Sequence, residues 1–187
     1  LGYYDLRIMV EDTDNSSINW STFEDAFIVV SNPPEITSFD INNTDIYRTE
    51  HSTLQVGVYD IEDSNSSMSI VAEHRFSSGN WSSQYFSASW FDSDSQLWNV
   101  NFTPSITSDL GYYDIRVKVV DQDSGSSNWS SHANLILVQN NHPEFVNYSL
   151  SNDSIYRNET LTIFIDSNDT EDIESNHQIT VEYRSFS

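Results

Sequence analysis

Residues 109–125 read Asp-Leu-Gly-Tyr-Tyr-Asp-Ile-Arg-Val-Lys-Val-Val-Asp-Gln-Asp-Ser-Gly. Tyr113, Ile115, Val117 and Val119 alternate here with Tyr112, Asp114, Arg116 and Lys118. Successive side chains of a strand point to opposite faces, so this is a half-buried strand with a solvated back. The stretch has a copy at the start of the chain, where Leu1-Gly2-Tyr3-Tyr4-Asp5 matches 110–114 and Tyr4, Leu6, Ile8 and Val10 form the same inward face. Worked outward, residues 1–78 align with 110–187 without a gap, 31 of the 78 pairs being identical. A fixed period of 109 residues reads as a tandem array of one unit. The expected division is the end of one unit at 1–31, a complete unit at 32–140 and the start of a third at 141–187. On that reading the sequence is a window on a longer polymer of domains.

The remaining apolar positions keep the period of two. Leu54, Val56 and Val58 mark one strand, Ile70, Ala72, His74 and Phe76 another, and Trp98, Val100 and Phe102 a third. Residues 133–138 form a nearly continuous apolar run, which predicts a closing strand covered on both sides. Asn32-Pro33-Pro34 and Asn141-His142-Pro143 stiffen the junctions between units. No segment carries the 3.6-residue period of an amphipathic helix. The fold class is therefore all-β, with antiparallel strands.

Acidic residues outnumber basic ones by 29 to 7, giving a formal net charge of −22. A field of that sign repels nucleic acid and anionic lipid, which removes both as partners, and it favours cations. There is no cysteine, so no disulfide staples the units. No apolar run is long enough to span a membrane, and nothing predicts direct membrane insertion of this segment. Asn-x-Ser/Thr sequons occur at Asn15, Asn19, Asn42, Asn65, Asn80, Asn101, Asn128, Asn147, Asn152, Asn158 and Asn168. That exceeds the chance expectation of about four for this composition and points to a glycosylated extracellular surface. The competing account is that Asn and Ser fill turns together for backbone reasons.

The stretch Asp109-Leu110-Gly111-Tyr112-Tyr113-Asp114-Ile115 resembles the tyrosine corner of immunoglobulin-like domains, and 111–125 resembles strand F and its following loop in PKD-type and related bacterial or archaeal Ig-like repeats. The resemblance implies tandem Ig-like β-sandwiches, with the Tyr113 hydroxyl bonding back to the preceding turn and Ile115 standing where an antibody domain has its second cysteine. It places strand A at 35–41, A′ at 46–49, B at 53–60, C at 68–76, C′ to E within 84–102, F at 111–121 and G at 132–139. Residues 1–31 then supply strands F and G of one domain, and 141–187 supply strands A to C of another.

In such a sandwich the B–C and F–G loops share one pole with the start of strand A. That brings together Glu35, Asp60, Glu62, Asp63, Asp121 and Asp123, and the same six recur one period away as Glu144, Asp169, Glu171, Asp172, Asp12 and Asp14. Clustered carboxylates repel unless a cation sits among them, and hard oxygen ligands suit Ca²⁺. An ion at the junction would lock neighbouring domains into a rod. The plainer account is that acidic residues populate exposed turns in a chain acidic throughout.

The five histidines (His51, His74, His132, His142, His177) show no metal-ligand or triad spacing, with His74 expected in the core. The carboxylates lie in solvated loops where nothing would tune a catalytic pair, so no enzyme and no organic cofactor is expected. Trp81 and Trp90 are the candidates for stacking on sugar rings, with Trp98 expected in the core and Trp20 and Trp129 expected to cap its end. Together with the resemblance, these features imply a structural segment of a prokaryotic extracellular stalk, fibre, filament or surface layer. Its expected partners are neighbouring units, other copies of the chain, and a cell-surface or glycan partner. The alternative is an array of carbohydrate-binding modules.

Overall fold

The computed structural model describes residues 1–14, 18–172 and 176–185. Twelve strands are present among them: β1 (Gly2–Ile8), β2 (Ser21–Val29), β3 (Glu35–Ile41), β4 (Asp45–Tyr47), β5 (Ser52–Tyr59), β6 (Ser69–Phe76), β7 (Trp90–Asp92), β8 (Leu97–Phe102), β9 (Gly111–Val120), β10 (Ser130–Gln139), β11 (Glu144–Leu150) and β12 (Ile163–Asn168). A 3-10 turn stands at Asn65–Ser67, and no helix among the described residues is long and apolar enough to cross a membrane.

Strands β3 to β10 make a sandwich of two four-stranded sheets. One has the order β3-β5-β8-β7 and the other β4-β10-β9-β6. All pairings in them are antiparallel except that of β4 with β10. In immunoglobulin nomenclature these are the A-B-E-D and A′-G-F-C sheets, so the topology is Ig-like. The expected strands A, A′, B, C, F and G lie where the resemblance placed them, within about two residues. Nothing forms a laddered C′ strand: 77–89 joins the sheets through the bridges His74–Ser82 and Phe86–Phe102 alone.

The inward positions supply the core. Leu54, Val56 and Val58 from β5, Trp98, Val100 and Phe102 from β8, and Tyr113, Ile115, Val117 and Val119 from β9 are all buried. Phe102 is fully buried and meets the rings of His74, Tyr85, Phe86 and Tyr113 at centroid distances of 5.3 to 5.9 Å. The tyrosine corner forms as expected, the Tyr113 hydroxyl donating to the Asp109 carbonyl at 3.0 Å. Gly111, just before it, has φ +128°, a region that L side chains avoid, and Gly2 in the copy has φ +122°.

Three expectations are corrected. The run 133–138 is not covered on both sides. Ile136 and Val138 are buried, whereas Ala133 and Asn134 are exposed, because a bulge shifts the register between His132 and Ile136. Asn134 takes φ 51°, and its backbone N–H donates to Asp114 Oδ1 at 2.8 Å. The same bulge stands 109 residues earlier, with Asp25 at φ 52° donating to Asp5 Oδ1 at 2.9 Å.

Trp20 and Trp129 do not cap the core. They lie on the outer face, where Arg7 stacks on Trp20 at 5.1 Å, and Arg116 and Lys118 sit over Trp129 at 4.1 and 5.1 Å. The outward positions of β9 are cationic, and a desolvated guanidinium prefers an aromatic face to open water.

Tyr4, Leu6, Ile8 and Val10 are exposed rather than inward. The β1–β2 sheet has two strands, and among the described residues no second sheet packs on its apolar face. The β11–β12 hairpin likewise exposes Phe145, Tyr148, Leu150 and Phe164.

Candidate functional site at the acidic pole

The end of β5, the turn after it and the loop after β9 meet at one pole of the sandwich. Asp60 directly follows β5 and is 7 % exposed. Its Oδ1 accepts the backbone N–H groups of Glu62 (2.7 Å) and Asp63 (3.1 Å), closing a tight turn. That turn aims Glu62 at the preceding linker. Glu62 Oε2 accepts the Asn32 backbone N–H at 3.1 Å and the Ser31 hydroxyl at 3.0 Å, and Oε1 accepts the Asn32 side-chain amide at 3.0 Å.

Asp121, also buried, arranges the loop after β9. Its Oδ1 accepts the Gly125 N–H at 2.7 Å, and its Oδ2 lies 3.4 Å from the donating Ser31 hydroxyl. A Cβ on Gly125 would stand 2.3 Å from Asp121 Oδ2, so only glycine leaves room for this carboxylate.

The same construction recurs 109 residues on. Asp169 Oδ1 accepts the N–H groups of Glu171 (2.7 Å) and Asp172 (3.1 Å), and Glu171 Oε2 accepts the Asn141 N–H at 3.1 Å. The Glu171 N–H is the main reason the Asp169 carboxyl is held below the usual range.

The two junctions differ in the partners of the glutamate. Oε1 of Glu171 faces Arg48 Nη1 at 3.5 Å in place of an asparagine amide, and the Asn141 side-chain amide donates instead to the Arg48 carbonyl at 3.2 Å. Arg48 is itself fixed by donating Nε and Nη2 to the Ser108 carbonyl at 2.8 and 2.6 Å. Tyr47 meets His142 edge-on at 5.7 Å.

A groove accompanies each junction. One of about 290 Å³ is lined by Asn32, Pro33, Glu35, Tyr59, Asp60 and Ile61. Its counterpart of about 330 Å³ is lined by Asn141, His142, Glu144, Asn168, Asp169 and Thr170, with Tyr47 added. Glu35 and Glu144 thus border the same groove as Asp60 and Asp169, at the starts of β3 and β11.

Asp63 is pushed upward, first by its own desolvation and then by the charges of Asp123, Asp60, Asp121 and Glu62. The second carboxylate oxygens of Asp60 and Asp63 are buried with no hydrogen-bond partner. Five of the six expected acids therefore feel one another. Even so, among the described residues no group of three or more Asp, Glu, His or Cys is placed to hold a metal ion. Asp12 and Asp14 share an exposed turn after β1, with the Asp14 N–H donating to Asp12 Oδ1 at 3.0 Å. Asp172 is exposed beside Glu171.

Among the sequons, Asn15 lies outside the described residues. Asn19, Asn42, Asn80, Asn128, Asn147, Asn152, Asn158 and Asn168 are exposed, while Asn65 and Asn101 are half-buried. Asn101 lies within β8 with its Oδ1 accepting the Thr53 hydroxyl at 2.8 Å, a poor position for a glycan.

The two tryptophan candidates part company. Trp81 is half-buried, with the guanidinium groups of Arg75 and Arg116 at 4.6 and 4.4 Å from its ring. Trp90 stands 44 % exposed on the edge strand β7. The cation ladder on Trp81 and Trp129 was not foreseen, although the three Asn-Trp-Ser triplets and the outward Arg positions of the β9 stretch were its signal.

No family model matches the chain, and no curated protein matches it. Among solved structures it is similar to the crystal structure of the titin domains z1z2 in complex with telethonin, with 11 % identity and a TM-score of 0.35. The match covers 74 % of this chain and 66 % of that one, so the chain spans just under two thirds of the structure it resembles.

Proposed function

We propose that this chain is a structural segment of an extracellular stalk, fibre or surface layer, in which Ig-like sandwiches are joined end to end at a fixed angle. One observation carries the reading: the Asp-turn-Glu device of Asp60 and Glu62, and again of Asp169 and Glu171, accepts the backbone N–H of the linker asparagine in both places. A turn whose carboxylate is spent on a linker amide holds a junction and leaves nothing for acid–base chemistry. The duplicated sequence supports lengthening by addition of like units. The exposed sequons support a glycosylated, outward-facing surface.

Ca²⁺ at the pole belongs to the same proposal. Two buried carboxylate oxygens without partners, among five acids, favour uptake of a divalent cation. The ion would draw Asp63 and Asp123 toward Asp60.

The test is small-angle scattering of the chain with millimolar Ca²⁺, with EDTA, and with Glu62→Gln and Glu171→Gln together. A maximum dimension that falls or broadens in the double variant supports the rigid junction. A profile identical to wild type, in buffer and in EDTA alike, removes both the clamp and the ion.

A further inference from the structure

We propose that the outer face of the β3-β5-β8-β7 sheet binds a neutral glycan, with Trp90 as its stacking platform. The inference is independent of the stalk reading and rests on a different face.

The two sheets present opposite chemistry to solvent. Outward positions of β6 and β9 carry Glu73, Arg75, Asp114, Arg116 and Lys118, whose charges are spent on one another and on Trp81 and Trp129. Outward positions of the central strands β5 and β8 are Thr53, Gln55, Gly57, Leu97, Asn99 and Asn101, with no charge among them. The charged positions of this face stand on its two edge strands, Asp40 on β3 and Asp92 on β7, two residues beyond Trp90.

Cross-strand register turns the face into a row. Trp90 pairs with Asn99, Asn99 with Gln55, and Gln55 with Asp40. At one strand spacing per step the row spans about 14 Å, room for more than one sugar ring.

Asn99 is 5 % exposed and acts as the fixed post of the row. It donates to the Leu97 carbonyl at 3.4 Å and accepts the Gln55 side-chain amide at 3.3 Å. This orients Gln55 so that its carbonyl oxygen remains as an acceptor. Asp40 is exposed, and its Oδ1 accepts the Ile41 N–H at 2.8 Å.

The row therefore offers an exposed indole for the C–H face of a pyranose, then an amide acceptor and a carboxylate for its hydroxyl donors. Uronate- or sulfate-bearing glycans are disfavoured by the net charge. Trp81 offers no such platform, because its ring already carries two guanidinium groups.

The experiment titrates the chain with hexasaccharides of glucose, mannose and N-acetylglucosamine, and with an oligouronate, following tryptophan fluorescence and calorimetry. The expected result is saturable binding of at least one neutral hexamer and weaker binding of the oligouronate. Trp90→Ala should reduce affinity about tenfold or more, and Gln55→Ala should reduce it too, since truncating the aromatic anchor removes the dominant contact. Trp81→Phe should bind as wild type. Both binding-face variants alter outward side chains, so unchanged circular dichroism and melting separate lost binding from lost fold. No binding of any neutral hexamer, or full affinity in Trp90→Ala, overturns the proposal.

Discussion

The guanidinium of Arg48 lies 3.5 Å from the carboxylate of Glu171, linking the end of β4 in the sandwich to the turn after β12. Both groups are largely shielded, with side-chain exposures of 18 % and 4 %. Arg48 also holds the Ser108 carbonyl, so removing it would disturb the sandwich as well as the junction. Glu171→Gln is the cleaner probe. It keeps an oxygen for the Asn141 N–H but loses the charge opposite Arg48. Losing one charge-assisted contact should weaken the junction by about 1–3 kcal/mol. Spin labels at Ser95 and Ser149, both exposed, should report a broader distance distribution in this variant. Glu62→Gln, at the other junction, should leave that distribution unchanged.

Tyr113→Phe isolates the tyrosine corner. The ring is buried and stays, and only the hydroxyl bond to the Asp109 carbonyl is lost. Burial first, then the neighbouring Tyr85 and Asp109, pushes this phenol up to about 12, so it remains a donor throughout the accessible pH range. The expected cost is about 1 kcal/mol, a fall in Tm of roughly 4–8 °C for a domain of this size. Calorimetry checks it, with exposed Tyr112→Phe as the silent control.

These contacts show what one sequence can and cannot disclose. Alternation in 111–120 fixed which of Tyr113, Ile115, Val117 and Val119 turn inward, because a strand's side-chain period is set by its geometry alone. The bulges at Asn134 and Asp25 escaped that logic. A bulge depends on a partner across the ladder, here Asp114 and Asp5, and strand pattern does not record it. The acids of the pole were legible as a group from their recurrence. Their division of labour was not, because Asp60 binds its own turn whereas Glu62 binds a linker thirty residues away in sequence. Trp81 shows the same limit. Whether an indole meets a sugar or an arginine is decided by neighbours brought in from other strands.

His74 makes stability depend on pH. Its ring is buried, stacks on Tyr85 at 4.5 Å, and neither nitrogen has a hydrogen-bond partner. Burial lowers it from 6.5 to about 4. The folded state therefore resists a proton that the unfolded state accepts. The contribution is whole above about pH 6.5 and is lost as pH falls toward 4, by about 3 kcal/mol in all. His132, stacked on Phe39 and also lowered by burial, adds a slope of the same sign. Chemical denaturation at pH 7 and pH 4.5 should show the loss in wild type and a smaller one in His74→Phe. An equal loss in both would assign the acid sensitivity to other groups.

Arg116 ties the outer face together, and its role separates shape from charge. Its Nε donates to Glu73 Oε2 at 2.8 Å, Nη2 reaches the same oxygen, and the flat guanidinium lies 4.4 Å from Trp81 and 4.1 Å from Trp129. Lysine keeps the charge but has neither the planar fork nor the stacking face. If charge were all that mattered, Arg116→Lys would be neutral, as most surface ion pairs are. The two ring contacts at half-buried positions argue otherwise, each stacked cation contributing about 0.5–1 kcal/mol. Arg116→Lys should therefore destabilise the sandwich by about 1–2 kcal/mol, and Trp129→Phe by less, since Trp81 still holds the cation. Urea midpoints at 0.1 and 1 M salt decide between the accounts. A deficit that survives high salt belongs to stacking, whereas one that vanishes belongs to the Glu73 ion pair.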